Sequence, residues 1–336
     1  MTWFHDIFGF EESGYRQTQA QFSLEGDQLH TRTRPPRTFH AGTLSLPSLS
    51  ELRHTVSGLA VSPGKGIQVH PLVADAYELH RHPAVNGAVV QVASQFNLLE
   101  MPDPSTLPEK GITGYQYDHT QGPACAMACA AATVVRNYLV RVGGQTGQTR
   151  TAQLNTLSDL TAALGIDGRC MMQNGYALLS RDTVQAVSRQ ITALDEPARD
   201  TLRQQLRVGL HADTQVTIQG TPAAQRRVTQ VLCSALPVAY HPFPRSDWAP
   251  LATLILEAGY EATLLAAVLN HYRTGNPRVY LTLVGGGAFG NDLWWIVSAL
   301  RRALSGIRQH ALEIHLVVNR SLPAEFSALL GEFPGG

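Results

Sequence analysis

Charge of one sign is the first thing missing from this 336-residue chain: Lys plus Arg and Asp plus Glu each total 26, so the formal net charge is zero. No field of one sign is therefore available to hold nucleic acid or an anionic membrane regardless of sequence. Cysteine is scarce as well. Cys125 and Cys129 lie four apart in an alanine-rich stretch, hence on one side of a helix, while Cys170 and Cys233 are isolated, and the set makes no secreted disulfide framework. A structural zinc wants two tight ligand pairs, and only one pair is present. The thiols are expected as small apolar packers in a reduced compartment. No charged segment followed by an apolar one stands at Met1, and no run approaches the roughly 18 apolar residues of a membrane span. Internal repeats and low-complexity tracts are missing too. These absences predict a soluble, cytoplasmic protein with no membrane, metal or cofactor.

What is there describes a globular chain with a large core: 44% hydrophobic against 15% charged residues. Length allows one large or two ordinary domains. PSLSELRHTVS (residues 47–57) reads as a short helix capped by Ser48 or Ser50, and GIQVHPLV (66–73) as a weak strand. NGAVVQVAS is almost continuously apolar, the mark of a strand buried on both faces in a parallel sheet. ACAMACAAATVVRNYLV (124–140) reads as one helix whose small residues pack closely on that sheet. Weaker strands are expected at 175–179, 207–217 and 228–240. The last third alternates cleanly: helix 248–272, strand 279–284, helix 293–306, strand 312–318. Such alternation implies right-handed crossovers with helices on both sheet faces. GGQTGQTRTAQLNT (143–156) and TIQGTPAAQRR (217–227) are polar connectors. The polar, turn-rich residues 1–65 are expected as an extension packed on a single main body, residues 66–330.

The corner TLVGGGAFGND sets three glycines, a phenylalanine and a fourth glycine between a strand and a helix. Glycine forfeits conformational freedom on folding, so its concentration there asks for a reason. Open α/β sheets bind ligands where strands end and helices begin, and unpaired amides at the helix start favour an anion. Gly285, Gly286, Gly287, Ala288, Phe289 and Gly290 then form a phosphate cradle. The corner lacks the Lys and Ser/Thr of a P-loop and the spacing of GxGxxG. A tight turn with no ligand is the alternative, weakened by the apolar ring of Phe289 in mid-loop.

A second constellation lies upstream. The buried strand ends in Ser94, Gln95 and Asn97, and a loop of about 20 residues follows before the alanine-rich helix, a length that is usually functional. It carries Asp103, Glu109, Tyr115, Tyr117, Asp118, His119 and Gln121. Carboxylates, phenols and an imidazole at a strand end suit water activation or sugar binding, although each is equally at home as a solvated loop residue.

QVASQFN at a strand end, a long loop, a small-residue helix and a later TLVGGGAFGND resemble the macrodomain fold, an ADP-ribose module. GGGAFGND is similar to the corner of bacterial poly(ADP-ribose) glycohydrolases. NGAVVQVASQFNLLE, YDHTQGPACAMACAAATVVRNY, VTQVLCSALPVAYH and LILEAGYEATLLAAVLN resemble a divergent macrodomain branch that includes arginine-specific ADP-ribosylhydrolases, and the likeness spans most of the chain. The resemblance implies a three-layer α/β/α fold with a mixed, largely parallel sheet and a hydrolase of ADP-ribosylated macromolecules, arginine-linked protein among them. It places Asn97 on the distal ribose, residues 286–290 with Asn291 around the diphosphate, and Phe289 on the ribose or adenine side. No NAAN stands at the strand end, and TQGPACAMA replaces the glycine loop with paired glutamates of the poly(ADP-ribose) enzymes, so no catalytic carboxylate transfers by motif. Asp118, just before the helix that should flank the ribose, is the first candidate, with Asp103 and Glu109 next; a carboxylate there would orient water or steady an oxocarbenium-like state. Gln121 and Tyr115 join the ligand set. Glu257 and Glu261, four apart on an apolar helix, read either as a hydrated stripe or as a pair facing a guanidinium leaving group. Asp292 is expected to cap the helix at Leu293, with Trp294 and Trp295 in core and rim. A non-catalytic ADP-ribose reader and a protein for another nucleotide remain the alternative functions.

Overall fold

The computed structural model describes residues 2–59, 66–218 and 226–333. Its central sheet has seven strands, numbered here in chain order: β1 (Thr43–Ser45), β2 (Gln68–Val73), β3 (Val89–Ala93), β4 (Gly209–Gln215), β5 (Arg227–Cys233), β6 (Arg278–Thr282) and β7 (Glu313–Val318). They lie in the order β1-β4-β5-β3-β6-β7-β2. The run from β5 to β2 is parallel, whereas β4 is antiparallel to β5 and β1 antiparallel to β4. Eight helices matter to the argument: α1 (Leu49–Ser57), α2 (Ala76–Arg81), α3 (Gln121–Ala128), α4 (Ala130–Val134), α5 (Arg181–Ala193), α6 (Glu196–Arg203), α7 (Arg245–Thr274) and α8 (Leu293–Gly306).

Alternation along the strands explains the layers. Val89, Val231, Val279, Leu281, Ile314 and Leu316 face a core shared with α1, α5, α7 and α8, while Val90, Val92, Leu232, Tyr280 and Val317 face α2 and α3. Helices thus cover both faces of a mixed, largely parallel sheet, the three-layer α/β arrangement expected from sequence. Ser48 caps α1 in a capping box with Glu51. Residues 43–57, expected outside the main body, supply an edge strand and a helix of the central layers. The residues before them build a short helix, Trp3–Phe8, and a three-stranded sheet, whose Phe4 and Phe8 and whose Phe22 and Leu29, respectively, pack on the far side of α3 and α4. Alanine is what lets that helical segment be buried from two sides at once.

Three expectations need correction. The helix expected over 124–140 starts at Gln121, breaks at Cys129 (φ −120°, ψ 58°) and ends in a π-helical turn, Val135–Leu139. Thr217 causes the break by competing for backbone groups: its amide donates to the Ala128 carbonyl (2.8 Å) and its hydroxyl accepts from the Ala130 amide (2.9 Å). The strand expected to run to residue 240 stops at Cys233, since Pro237 brings no amide and Val238–Tyr240 closes into a 3₁₀ turn. The third concerns apolar length. Helix α7 is long and apolar enough to cross a membrane by length and composition alone, but 83% of its apolar window is buried inside the protein. The four cysteines are free thiols, three of them buried. Much of the connector at 217–227 lies outside the described residues.

Candidate functional site

Parallel strands deliver their carboxyl ends to one opening, a cavity of about 430 Å³. Its walls are Ala93, Ser94 and Gln95 after β3, Ala235 after β5, Thr282 and residues 283–289 after β6, and Val317, Val318 and Asn319 at the end of β7. Residues 100–102 and 118–123, Tyr176 and Tyr240 close it. A ligand crevice at the carboxyl ends of parallel strands is where this sheet architecture leaves room for one.

The glycine corner opens into this cavity rather than being sealed beneath side chains. Gly285 sits at φ +80°, and a Cβ there would come within 2.6 Å of the Ala235 Cβ, so the position requires glycine for conformation and for space. Three supports fix the loop. The buried Tyr260 hydroxyl donates to the Thr282 carbonyl (2.8 Å) and accepts from the Val284 amide (3.1 Å). The Asn291 side chain donates to the Leu236 carbonyl (2.9 Å) and, at 3.3 Å, to that of Gly285. The Gly286, Gly290 and Asn291 amides are spent on the Leu283, Gly287 and Gly285 carbonyls. The amides of Gly287, Ala288 and Phe289 donate to no other group among the described residues. These loop amides, rather than the start of α8, lie along the cavity, whose lining stops at Phe289, and Asp292 already caps α8 by accepting from the Trp294 amide (2.8 Å) and puts its own carboxylate at the positive end of the dipole. A second set of donors comes from the Gln121 and Gly122 amides at the start of α3, where Thr120 makes no side-chain cap; both residues line the cavity beside Pro123, which has no amide hydrogen.

Phe289 packs on Tyr176 (ring centroids 5.4 Å apart) and Tyr240 (5.8 Å), which themselves lie 5.5 Å apart. All three rings line the cavity and form an aromatic wall beside the free amides.

The other expected residues divide sharply. Asp118 lines the cavity, half-buried, and accepts from the Thr120 amide (2.9 Å). Gln121 lines it too, yet its amide group stitches α3 to β3, accepting from the Ala93 amide (2.8 Å) and donating to the Gln91 carbonyl (2.9 Å). Gly290 and Asn291 brace the loop from behind. Asn97 does not reach the cavity: it is fully buried, donating to Gln153 (2.9 Å) and accepting from the Leu99 amide (3.1 Å). Tyr115 is buried as well, its hydroxyl accepting from the Glu100 amide (3.0 Å). Asp103 lies outside and staples its own loop, bonded by Ser105 and Thr106, which hold its carboxyl below the usual carboxylate range. Glu109 also lies outside and accepts from the Arg150 amide (2.8 Å). Glu257 and Glu261 form neither a hydrated stripe nor a pocket pair: they meet Arg203 and Arg53, each at 2.6 Å, in an ion-pair network joining α1, α6 and α7. Trp294 is exposed and Trp295 half-buried against the core.

Sequence reasoning missed Glu100. This carboxyl lines the cavity while only 1% exposed, and its Oε2 has no hydrogen-bond partner. Burial pushes its pKa up to about 7, opposed by the Arg136 guanidinium 3.5 Å from Oε1. A lone acid in the apolar run FNLLEM was the available signal. Gly122 makes room for it, since a side chain there would collide with the Ala93 carbonyl and approach the Glu100 Cγ.

No protein-family model matches the sequence, and no curated protein does. Its fold is similar to solved poly(ADP-ribose) glycohydrolases. The enzyme from Thermomonospora curvata is 13% identical with a TM-score of 0.46, covering 88% of this chain and 90% of that one. The same enzyme bound to the inhibitor ADP-HPD has a TM-score of 0.45 at 12% identity, covering 88% and 89%. The enzyme from Deinococcus radiodurans in complex with ADP-ribose gives 0.45 at 12% identity, covering 87% and 94%. Likeness at that level assigns no residue a role.

Proposed function

We propose that the cavity binds ADP-ribose and that the protein hydrolyses the glycosidic bond joining it to a modified macromolecule. One observation carries this: free backbone donors, an aromatic wall and two carboxyl groups in different electrostatic settings line a single cavity. The diphosphate takes the amides of residues 287–289 and the start of α3, and the base takes the aromatic wall. Adenine and ribose are named because the GGGAFGND corner and the strand-end QVASQFN resemble ADP-ribose modules. Glu100, protonated in part near neutral pH, gives its proton to the leaving atom as the bond to the anomeric carbon breaks. Asp118 takes the proton of the water that attacks that carbon, and free acceptor and ADP-ribose leave.

Charge supports an arginine-linked acceptor. Among the described residues, Glu100 and Asp118 are the only Asp, Glu, Lys or Arg residues lining the cavity, so a cationic leaving group such as an arginine guanidinium meets acidic groups and no Lys or Arg in the lining. The near-zero accessibility of the Glu100 Oε2 favours a second reading, a reader in which Glu100 serves structure only.

Calorimetry with ADP-ribose, paired with a product assay on arginine-ADP-ribosylated protein, decides between them. Glu100→Gln is expected to keep ADP-ribose affinity and lose about 100-fold or more in turnover. Wild-type binding without turnover of any ADP-ribosylated acceptor supports the reader. A thermal shift with ATP or a dinucleotide and none with ADP-ribose overturns the assignment of the ligand.

A further inference from the structure

Arg136 is fully buried, and the energetics of that burial are poor. Its Nη1 has no partner, and its contact with Glu100 is long, 3.5 Å from Nη2 to Oε1. An apolar side chain of similar volume usually serves a fold as well as or better than a buried ion pair of this quality. Two local departures from regular backbone put the guanidinium there nonetheless. The π-helical turn Val135–Leu139, which follows the break at Cys129, carries Arg136 inward. Leu98 is held at φ +64°, a conformation costly for a residue with a side chain, and its carbonyl accepts from Arg136 Nε at 2.9 Å. Leu98 stands two residues before Glu100. The remaining hydrogen of Nη2 goes to Thr133 Oγ1 at 3.1 Å, and the Arg136 carbonyl accepts from Gln148 (3.0 Å). The arginine is therefore clamped, and it clamps in turn the segment that presents Glu100 to the cavity.

We propose that Arg136 is the positioning residue of this centre, gripping the Leu98 carbonyl and the Glu100 Oε1 side so that Oε2 is the oxygen left unpaired at the cavity wall. The inference rests on the hydrolase reading for its kinetic consequence, and on geometry alone for the coupling between the two side chains. Groups from every neighbouring element confirm which charge acts on Glu100. Tyr115, from the 3₁₀ turn Thr113–Tyr117, is held neutral because burial lifts its phenol well above the ordinary range. Cys125, on α3, is lifted in the same way. His211, on β4 beside Arg136, is pushed down to about 3 by burial and then by that arginine, so it is neutral as well. Among the described residues, Arg136 is the charge that acts on Glu100, and it favours the ionised carboxyl against the desolvation that opposes it.

The test follows the Glu100 carboxyl directly by carboxyl-carbon NMR, its resonance assigned by its disappearance in Glu100→Gln. In Arg136→Met the titration midpoint is expected to rise by about one pH unit or more, because desolvation is then unopposed. In Arg136→Lys the charge remains while the grip on Leu98 is lost. There the midpoint is expected to stay within about half a unit, while kcat falls about tenfold or more and the ADP-ribose dissociation constant changes less than about threefold. Should Arg136→Met not fold, the Lys variant alone decides, since wild-type kcat in it removes the positioning role. An unchanged Glu100 midpoint in a folded Arg136→Met protein overturns the coupling. Full turnover in Glu100→Gln, with the NMR coupling intact, instead removes the hydrolase reading and leaves the arginine a structural partner.

Discussion

Glu100 makes the pH dependence of stability calculable. A glutamate carboxyl that ordinarily titrates near 4.5 is held at about 7 in the folded protein. Because the folded value is raised, the folded state binds this proton more tightly than the unfolded chain between those two limits, and stability falls as pH rises through them. The contribution is fully present below pH 4.5 and gone above 7. At about 1.36 kcal/mol per unit, the change between pH 5 and pH 8 comes to roughly 2 to 3 kcal/mol. His80 and His211 act in the opposite sense. Burial pushes them down to about 4 and about 3, so their contribution is present above their ordinary 6.5 and is lost as pH falls. They occur in wild type and Glu100→Gln alike and cancel in the difference between the two. Urea unfolding of both proteins at pH 5, 6, 7 and 8 is the assay, with unchanged m-values as the control for a two-state comparison. The wild-type advantage over Glu100→Gln should shrink by roughly 2 to 3 kcal/mol from pH 5 to pH 8. Curves that stay parallel within about 0.5 kcal/mol would refute the claim that this carboxyl is desolvated at the cavity floor.

Gly285→Ala should weaken ADP-ribose binding by about tenfold or more in calorimetry, because the left-handed conformation costs a residue with a Cβ about 1–2 kcal/mol and the new methyl strikes Ala235; an unchanged affinity would show that the loop does not hold the ligand. Arg203→Met should cost roughly 3 kcal/mol in urea unfolding, since Arg203 is 4% exposed and its loss strands the largely buried Glu257; a loss below about 1 kcal/mol would mean that the ion-pair network contributes little to the joining of α1, α6 and α7.

Much of the frame was legible because local pattern and tertiary burial agree. Glycine, proline and capping residues punctuate the last third so clearly that helix α8 has the expected bounds, and Ser48 announces α1. The glycine corner was legible for the same reason, since few other uses require bare backbone between a buried strand and a helix. The kink at Cys129 was not legible, because its cause is Thr217, a residue 88 positions away whose hydrogen bonds outcompete those of a segment with good helix propensity. Asp118 ranked ahead of Asp103 and Glu109 in sequence by its place just before a helix, but only the fold puts it at the cavity and the other two outside. Glu261 read either as part of a hydrated stripe or as a ligand for a substrate cation and found a cation of its own fold instead, Arg53.

Composition and periodicity by themselves determined that this chain builds a buried, largely parallel sheet with helices on both faces and a bare-backbone corner at the end of β6, because these are properties of neighbouring residues. Tertiary structure alone decided which acid is desolvated at the cavity. Desolvation depends on everything that surrounds a carboxyl, and only folding closes α3, the Tyr115 turn and Arg136 around Glu100 while leaving Asp118 half in water.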